Sequence, residues 1–234
     1  LMRGLESRTA FARVVKARIT GDSAYLAPTG DMYGHFPTDA ATGDTIIDGG
    51  VFRLEEELRD FSIAAGTTGK IFAFEPERGN LLRIRDAMRG HVPANITLCE
   101  LGLFSDRRTL GISDGQSASA LVAKAVPGAS PCQVTDLDTF AEENAVSRID
   151  LVKLDIEGAE IAALVGARKT LRRHAPKLKI SAYHTADHLW EIPLFLHALV
   201  PEYAFEFRTP APDLVEYILF AYVPGRTPQN IPNT

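Results

Sequence analysis

Three acidic side chains each follow a run of apolar residues that predicts a buried strand. Asp48 ends the run Thr45–Asp48, Glu75 follows Lys70–Phe74, and Asp155 follows Leu151–Leu154. In an open parallel sheet, ligands bind at the carboxyl ends of the strands. A carboxylate at that edge can accept hydrogen bonds from ribose hydroxyls, and these acids therefore predict a nucleoside-binding site.

Two glycines follow the first of these acids directly. Gly49 and Gly50 would let the backbone pass close to a ligand, beside the N–H groups that begin the next helix. The run Phe52–Leu54 stands where the dinucleotide fingerprint would place a further glycine, so that motif is not matched. A plain tight turn explains two glycines about as often as a binding site does.

The second acid, Glu75, favours a binding role for the glycine pair over a plain turn. Glu75 lies twenty-five residues beyond Gly50, close to the spacing at which nucleotide-binding folds place their ribose-binding carboxylate. Pro76 favours an extended Glu75 and prevents further pairing of that strand. Ribose binding is therefore preferred over a surface acid that merely closes a strand.

The third acid begins a strand-to-helix junction that contains further carboxylates. Asp155 and Glu157 would border the ligand cleft, whereas Glu160 lies in the first helical turn and is expected to stabilise the amide end of the helix. Apolar residues at helical spacing predict one helix from about Ile161 to Ala175, which Pro176 would end.

One histidine is a candidate for proton transfer. A lone histidine is more often structural than catalytic, but His184 ends the run Leu178–Tyr183, which predicts the strand beside that of Asp155. That place gives the catalytic and the structural interpretation roughly equal weight. No spacing rule supports a bound divalent ion at Asp155, Glu157 and His184, so no metal is predicted.

Composition sets the limits of the interpretation. A chain of 234 residues with 45% hydrophobic residues fits one large α/β domain, and a net charge of −5 argues against nucleic acid as the main partner. Two cysteines without metal-type spacing favour a reducing, cytoplasmic setting. No apolar run is long enough to span a membrane, and no signal-peptide pattern is present.

The order of predicted elements defines the fold class. Residues 1–43 are expected to form a packed or solvated N-terminal helix and a flap rich in glycine and proline, and residues 44–234 a catalytic domain. Strands and helices alternate up to a predicted antiparallel hairpin of Tyr203–Arg208 and Val215–Tyr222. Five β–α units closed by such a hairpin form the doubly wound, seven-stranded, Rossmann-like sheet of the class I S-adenosylmethionine-dependent methyltransferases.

From about Gly43 onward the chain also resembles one methyltransferase family. Four segments carry the resemblance: Asp44–Phe52, Ala73–Glu77, Asp150–Glu160 and Ile180–Pro193. They are similar to the FkbM family. The resemblance implies S-adenosyl-L-methionine as cofactor and methyl transfer to a hydroxyl oxygen of a sugar, polyketide or related natural product.

The resemblance also implies roles for individual residues. It places Asp48 and Gly50 at the methionine end of the cofactor and Glu75 at the ribose. We further predict cofactor contacts from Gly49, Phe52, Pro76 and Asp155. A cleft bordered by carboxylates suits a sulfonium cation, and an alcohol acceptor needs a general base, for which His184 and Asp155 are the candidates.

Two other functions remain open at this stage. Leu54 stands where the family usually places a second glycine, which allows a catalytically weak domain that binds a ligand or a partner. A nicotinamide-dependent oxidoreductase is disfavoured by the absent glycine pattern and by the closing hairpin. No pattern in the sequence indicates an oligomeric state.

Overall fold

The computed structural model describes residues 1–25, 36–51, 55–114, 119–122, 130–209 and 216–226. The predicted cofactor contact of Phe52, the substitution at Leu54 and much of the predicted flap therefore lie outside the described residues.

Helices and strands alternate along most of the chain. The helices are α1 Leu5–Thr20, α2 Glu55–Ala65, α3 Arg78–Ala87, α4 Leu137–Glu143, α5 Glu160–Val165, α6 Arg168–His174 and α7 His188–Leu199. The strands are β1 Thr45–Gly49, β2 Lys70–Phe74, β3 Ile96–Cys99, β4 Gly102–Leu103, β5 Arg108–Asp114, β6 Ser119–Val122, β7 Ser130–Thr135, β8 Leu151–Leu154, β9 Lys177–Ser181, β10 Ala204–Arg208 and β11 Ile218–Tyr222.

Seven of the strands form one sheet, in the order β10-β11-β9-β8-β1-β2-β3. Strand β1 pairs in parallel with β2 and β8, and β2 pairs in parallel with β3. Strand β11 is antiparallel to both β9 and β10. The predicted fold class, a mostly parallel seven-stranded sheet with a C-terminal antiparallel hairpin, is confirmed.

The chain forms two compact units, one of residues 40–174 and one of residues 1–39 with 175–234. The predicted division into segment 1–43 and domain 44–234 is a different partition and stays a prediction. In the unit that contains both termini, α1 packs on β10: the Phe207 N–H donates to Ser7 Oγ over 2.7 Å, and the rings of Phe11 and Phe207 lie 5.6 Å apart. Residues 1–20 thus contain the packed helix that the sequence predicts.

In the unit 40–174, the two faces of the sheet pack on different helices. Rings on one face, those of Phe72 and Phe74, lie 5.4 and 4.7 Å from that of Phe140 in α4. The other face packs against α2 and α3 in a core that includes Ile46, Leu58, Phe61, Ile71, Ala73, Ile84 and Leu151. Because side chains alternate along a strand, the next positions on this second face are Asp48, Glu75 and Lys153.

A second sheet was not predicted. It has four strands in the order β4-β7-β5-β6. The sequence predicts a short strand at Arg108–Ile112, a polar loop at Gly115–Ser119 and a short helix with Asp or Thr caps that opens with Val134–Phe140. Residues 115–118 lie outside the described residues, and Ser119 begins β6. Strand β7 instead continues to Thr135, and α4 begins after Asp136, whose Oδ1 accepts the Thr139 N–H over 2.8 Å. The expectation that the acids here act as caps is confirmed.

The predicted helix after Asp155 is two helices, because Asp138 provides a second helix start. Its carboxylate accepts the N–H groups of Lys169 and Thr170, both over 2.8 Å, after α5 has ended at Val165. In sequence these residues lie thirty-one and thirty-two positions from Asp138, so helical periodicity alone does not reveal the break.

Helix α7 also differs from the prediction. The sequence predicts a helix over Asp187–Val200 that is interrupted at Pro193, with Trp190 packed. In the structure α7 continues through Pro193, and Trp190 is 48% exposed. Burial of Leu189, Ile192 and Leu196 on one face of α7 outweighs the single hydrogen bond that proline cannot donate. Within the described ranges, no helix has the length and apolar character needed to cross a membrane.

Candidate functional site

The predicted cofactor acids of the unit 40–174 meet at one edge of its sheet. Gly49 is in register with Phe74 of β2 and with Leu154 of β8. Glu75 and Asp155 each come one residue later, and Asp48 one residue earlier on β1. The structure therefore brings Asp48, Glu75 and Asp155 to the same carboxyl edge, where parallel sheets bind ligands.

The glycine turn after Asp48 is held by both neighbouring strands. The Asp155 N–H donates to the Gly49 carbonyl over 2.9 Å, and the Gly50 N–H donates to the Phe74 carbonyl over 3.1 Å. Gly50 has a φ of 79°, and a Cβ there would lie 1.8 Å from the Asp155 carbonyl oxygen. Glycine is thus required at position 50 by the backbone of β8, independently of any ligand.

Lys153 contacts this turn and two acids, Asp48 and Glu57. Its side chain is 0% exposed, and Nζ lies 3.2 Å from Asp48 Oδ1 and 3.2 Å from Glu57 Oε2. It also donates to the Gly50 carbonyl oxygen. One buried ammonium therefore links β8, the end of β1, the glycine turn and helix α2.

Asp48 is buried and faces this ammonium. The contact is an ion pair without hydrogen-bond geometry, and neither carboxylate oxygen of Asp48 accepts a hydrogen bond from a described residue. Burial raises the pKa of Asp48 above its usual range, although the Lys153 ammonium opposes the shift. A buried carboxylate with unused acceptor capacity is suited to a ligand that donates N–H or O–H groups.

Glu57, in α2, is the second acid on Lys153. Burial raises its pKa to about 8, against the opposing effect of Lys153. Burial disfavours the charge of Lys153 as well, but Asp48, Glu57 and Asp155 together hold the pKa of Lys153 above its usual range. At neutral pH the ammonium is therefore charged, while Glu57 carries a proton.

Glu75 lies beyond the end of β2 and is buried. Its Oε1 accepts the Glu77 N–H over 2.9 Å, and its backbone N–H donates to the Cys99 carbonyl over 3.0 Å. Burial raises the pKa of Glu75, while the Glu77 N–H and the Asn80 side chain oppose the shift. Its side chain is oriented by the turn through Pro76 that starts α3.

Of the acids at the third junction, Glu160 has the expected role at the start of a helix, whereas the cleft positions of Asp155 and Glu157 stay predictions. Asp155 is buried after β8. Glu160 accepts backbone N–H groups of the loop before α5, from Ile156 to Oε1 over 2.9 Å and from Gly158 to Oε2 over 3.1 Å. Glu160 thus stabilises the start of α5, and Glu157 is a half-buried residue of the loop with a φ of 55°.

His184 belongs to the other compact unit, where it follows β9. It is half-buried, and its ring lies 4.1 Å from that of Tyr183, whose carbonyl accepts a hydrogen bond from Arg18 over 3.2 Å. The catalytic roles of His184 and Asp155, like the cofactor contacts assigned above, remain predictions. Across the described parts of the chain, no group of three or more His, Cys, Asp or Glu side chains is arranged to hold a metal ion.

Lys153 and Glu57 were missed by the sequence analysis, although one signal was present. A lysine within the buried run Leu151–Leu154 must have a partner, because an unpaired buried charge is very costly. The sequence does not indicate the partner, since Glu57 is one of several acids in its helix and lies ninety-six residues away.

The comparisons with known proteins identify the family of the chain. The model of the methyltransferase FkbM domain matches residues 48–207, which is more than half of the chain. Among curated proteins, no significant match was found.

Two solved structures were compared with the chain, and the first of them supports the fold. A methyltransferase FkbM from Methylobacillus flagellatus KT has a TM-score of 0.76 and 22% sequence identity, over 94% of this chain and 56% of that protein. An S-adenosylmethionine-dependent O-methyltransferase from Thermotoga maritima has a TM-score of 0.49 and 14% identity, over 92% of this chain and 72% of that protein. The chain thus spans little more than half of the Methylobacillus protein.

The glycine turn gives a first prediction. Gly50→Ala should destabilise the protein far more than Gly90→Ala, because both glycines have positive φ but only the Cβ at position 50 would meet the Asp155 carbonyl. Gly90→Ala should cost about 1 kcal/mol, the price of the left-handed conformation alone. Urea unfolding followed by circular dichroism measures both values, and equal losses would contradict the assigned constraint.

The pKa of Glu57 gives a second prediction. Because it rises from 4.5 to about 8 on folding, the folded state binds the extra proton between these values. The free energy of unfolding should therefore fall as pH rises through this window and level off above it. In Glu57→Gln this fall should be smaller.

Urea unfolding at a series of pH values measures the slope. The matched control is Glu56→Gln, the same change at the neighbouring exposed position of α2. Equal slopes in all three proteins would show that Glu57 does not bind the proton.

Proposed function

This chain belongs to the FkbM family of S-adenosylmethionine-dependent methyltransferases, and we propose that it transfers the methyl group to a hydroxyl oxygen of a small molecule. The observation that carries the proposal is the buried carboxylate of Asp48. It lies at the carboxyl end of a central strand, and its oxygens accept no hydrogen bond from the described residues. That acceptor capacity suits the ammonium group at the methionine end of the cofactor.

The residues at this edge of the sheet fit the rest of the cofactor. Glu75 comes after the neighbouring strand, where nucleoside-binding sheets place the carboxylate that accepts the ribose hydroxyls. Asp155 adds negative charge on the other side of β1, which suits a cation between the two strands. When bound, S-adenosylmethionine supplies an electrophilic methyl group on a sulfonium, and the protein has to hold an acceptor in line with it.

A side chain of the protein has to remove the proton of the acceptor hydroxyl. A hydroxyl loses its proton as its oxygen is methylated, so a general base has to lie within hydrogen-bonding reach. We propose Asp155 or His184 for this role. Asp155 is buried at the cofactor edge, and His184 is half-buried after the strand that follows in the sheet order.

A sugar, polyketide or related natural product is the proposed acceptor. The net charge of −5 favours such an acceptor over a polyanionic nucleic acid, which a protein normally binds through basic patches. The resemblance of the sequence to the FkbM family supports the same class of acceptor.

The role of Glu75 is tested by calorimetric titration with S-adenosylhomocysteine. Glu75→Gln keeps the shape but loses a charged acceptor, so the affinity should fall by about tenfold or more. The matched control is Glu100→Gln, the same change at an exposed acid that follows the next strand, β3. If Glu75→Gln binds like the wild type, Glu75 does not hold the ribose.

Methyl transfer is tested with S-adenosylmethionine labelled in its methyl group and a library of hydroxylated small molecules. A labelled product that resists alkaline hydrolysis is the ether that we expect. A base-labile product would be a carboxyl ester and would contradict transfer to a hydroxyl. Cofactor binding without transfer to any compound would support a binding domain instead.

The same assay, once an acceptor is found, identifies the base. Loss of a general base should lower kcat by roughly 100-fold or more without weakening S-adenosylhomocysteine binding. His184→Ala and Asp155→Asn are compared with His197→Ala, a change at an exposed histidine of α7. Near-normal turnover of either candidate variant removes that residue from the role.

A further inference from the structure

Packing of the core does not explain the buried charged groups around Lys153. The ammonium is fully buried, as is Asp48, and Glu57 is 7% exposed. On the same face of their strands, the preceding residues are Ile46 and Leu151, both in the apolar core. An apolar residue at position 153 would simply extend this core, so packing gives no reason for a lysine.

Energetics lead to the same conclusion. A buried ion pair is costly to desolvate, and apolar residues of similar volume are often equally or more stabilising. Lys153 nevertheless has two acids within 3.2 Å and also binds the Gly50 carbonyl. Asp48, Lys153 and Gly50 lie at the edge of the sheet proposed to bind the cofactor, and Glu57 lies in α2.

We propose that Lys153 is a positioning residue for the methionine end of the cofactor, acting through Asp48 and the glycine turn. Its ammonium lies 3.2 Å from Asp48 Oδ1 and favours a negative charge on that buried carboxyl group. Its hydrogen bond to the Gly50 carbonyl fixes the peptide that follows Asp48. Lys153 itself touches neither the cofactor nor the acceptor.

The positions of these groups explain how Lys153 can contact both Asp48 and the glycine turn. Asp48 and Lys153 are register partners on adjacent parallel strands, so their side chains leave the sheet on the same side. Helix α2 covers that side and contributes Glu57, whose Oε2 accepts a hydrogen bond from Nζ over 3.2 Å. Glu57 of α2 thus binds the ammonium on one side, and the ammonium contacts both the Asp48 carboxylate and the Gly50 carbonyl.

Loss of the ammonium has a defined chemical consequence. Without it, two buried acids share a site that lacks a counter-charge, and Asp48 would take up a proton. Its carboxyl group could then no longer attract the cofactor's amino group as an anion. The adenosine end of the site, at Glu75, keeps its own hydrogen bond from the Glu77 N–H and is independent of Lys153 for that contact.

The inference rests on the proposed function, and a comparison of two ligands tests it. S-Adenosylhomocysteine has both the adenosine and the amino-acid end of the cofactor, whereas adenosine has only the first. In Lys153→Met the affinity for S-adenosylhomocysteine should fall roughly 10- to 100-fold, as for other residues that orient ligand-binding groups. The affinity for adenosine should stay unchanged. Calorimetric titration of the full chain measures both.

Lys70→Met is the matched control, because it makes the same change at an exposed position of β2. It should bind both ligands like the wild type. If Lys153→Met weakens both ligands equally, Lys153 has only a structural role and the inference is overturned. Unchanged binding of both ligands by Lys153→Met overturns it as well.

A double variant tests whether Lys153 acts through Asp48, and it also guards against misfolding. Removing both charges of a buried pair is far less disruptive than removing one. Under the proposal, Asp48→Asn and Asp48→Asn with Lys153→Met should bind S-adenosylhomocysteine almost equally, because effects along one path do not add. A further tenfold loss in the double variant would overturn the part of the proposal in which Lys153 acts through Asp48.

The outcomes also separate this inference from the function on which it rests. A wild-type protein that binds neither ligand overturns the proposed function and the inference together. A wild-type protein that binds S-adenosylhomocysteine while Lys153→Met binds it equally well overturns only the role of Lys153.

Discussion

A buried ammonium surrounded by acids is the interaction on which the candidate site depends. Burial disfavours the charge of Lys153, and the contacts of its Nζ with Asp48 and Glu57, both over 3.2 Å, compensate for that cost. The cluster holds the end of β1, the glycine turn and α2 to the central strand β8. The geometry of the candidate site therefore depends on electrostatic contacts within the unit 40–174 as well as on packing.

The glycine turn illustrates a related constraint. Gly50 was expected to be glycine because a ligand passes close to it. In the structure the position of its missing Cβ is occupied by the Asp155 carbonyl of the neighbouring strand. The same residue can still border a ligand, since its backbone lies at the carboxyl edge of the sheet. A glycine motif can therefore indicate a binding site correctly while the requirement for glycine comes from the fold.

Much of the fold could be predicted because its signals are local. Apolar runs ending in Asp48, Glu75 and Asp155 define buried strands, and the short connection before β11 defines the hairpin. The second sheet was missed because it pairs residues far apart in the sequence, such as Leu103 and Thr135, and residue spacing does not show that pairing. The division of α5 from α6 was missed for a similar reason, since the cap comes from the distant Asp138.

The sequence by itself determined that an acid lies at the carboxyl end of each of three parallel strands. Its four motif segments carried the resemblance to the family, which implies the cofactor. Tertiary structure alone decided the charge state of the site. Whether Asp48 is an anion, and whether Glu57 carries a proton, depends on burial and on the distance to one lysine. Desolvation and Coulomb energies depend on three-dimensional surroundings, which residue spacing does not encode.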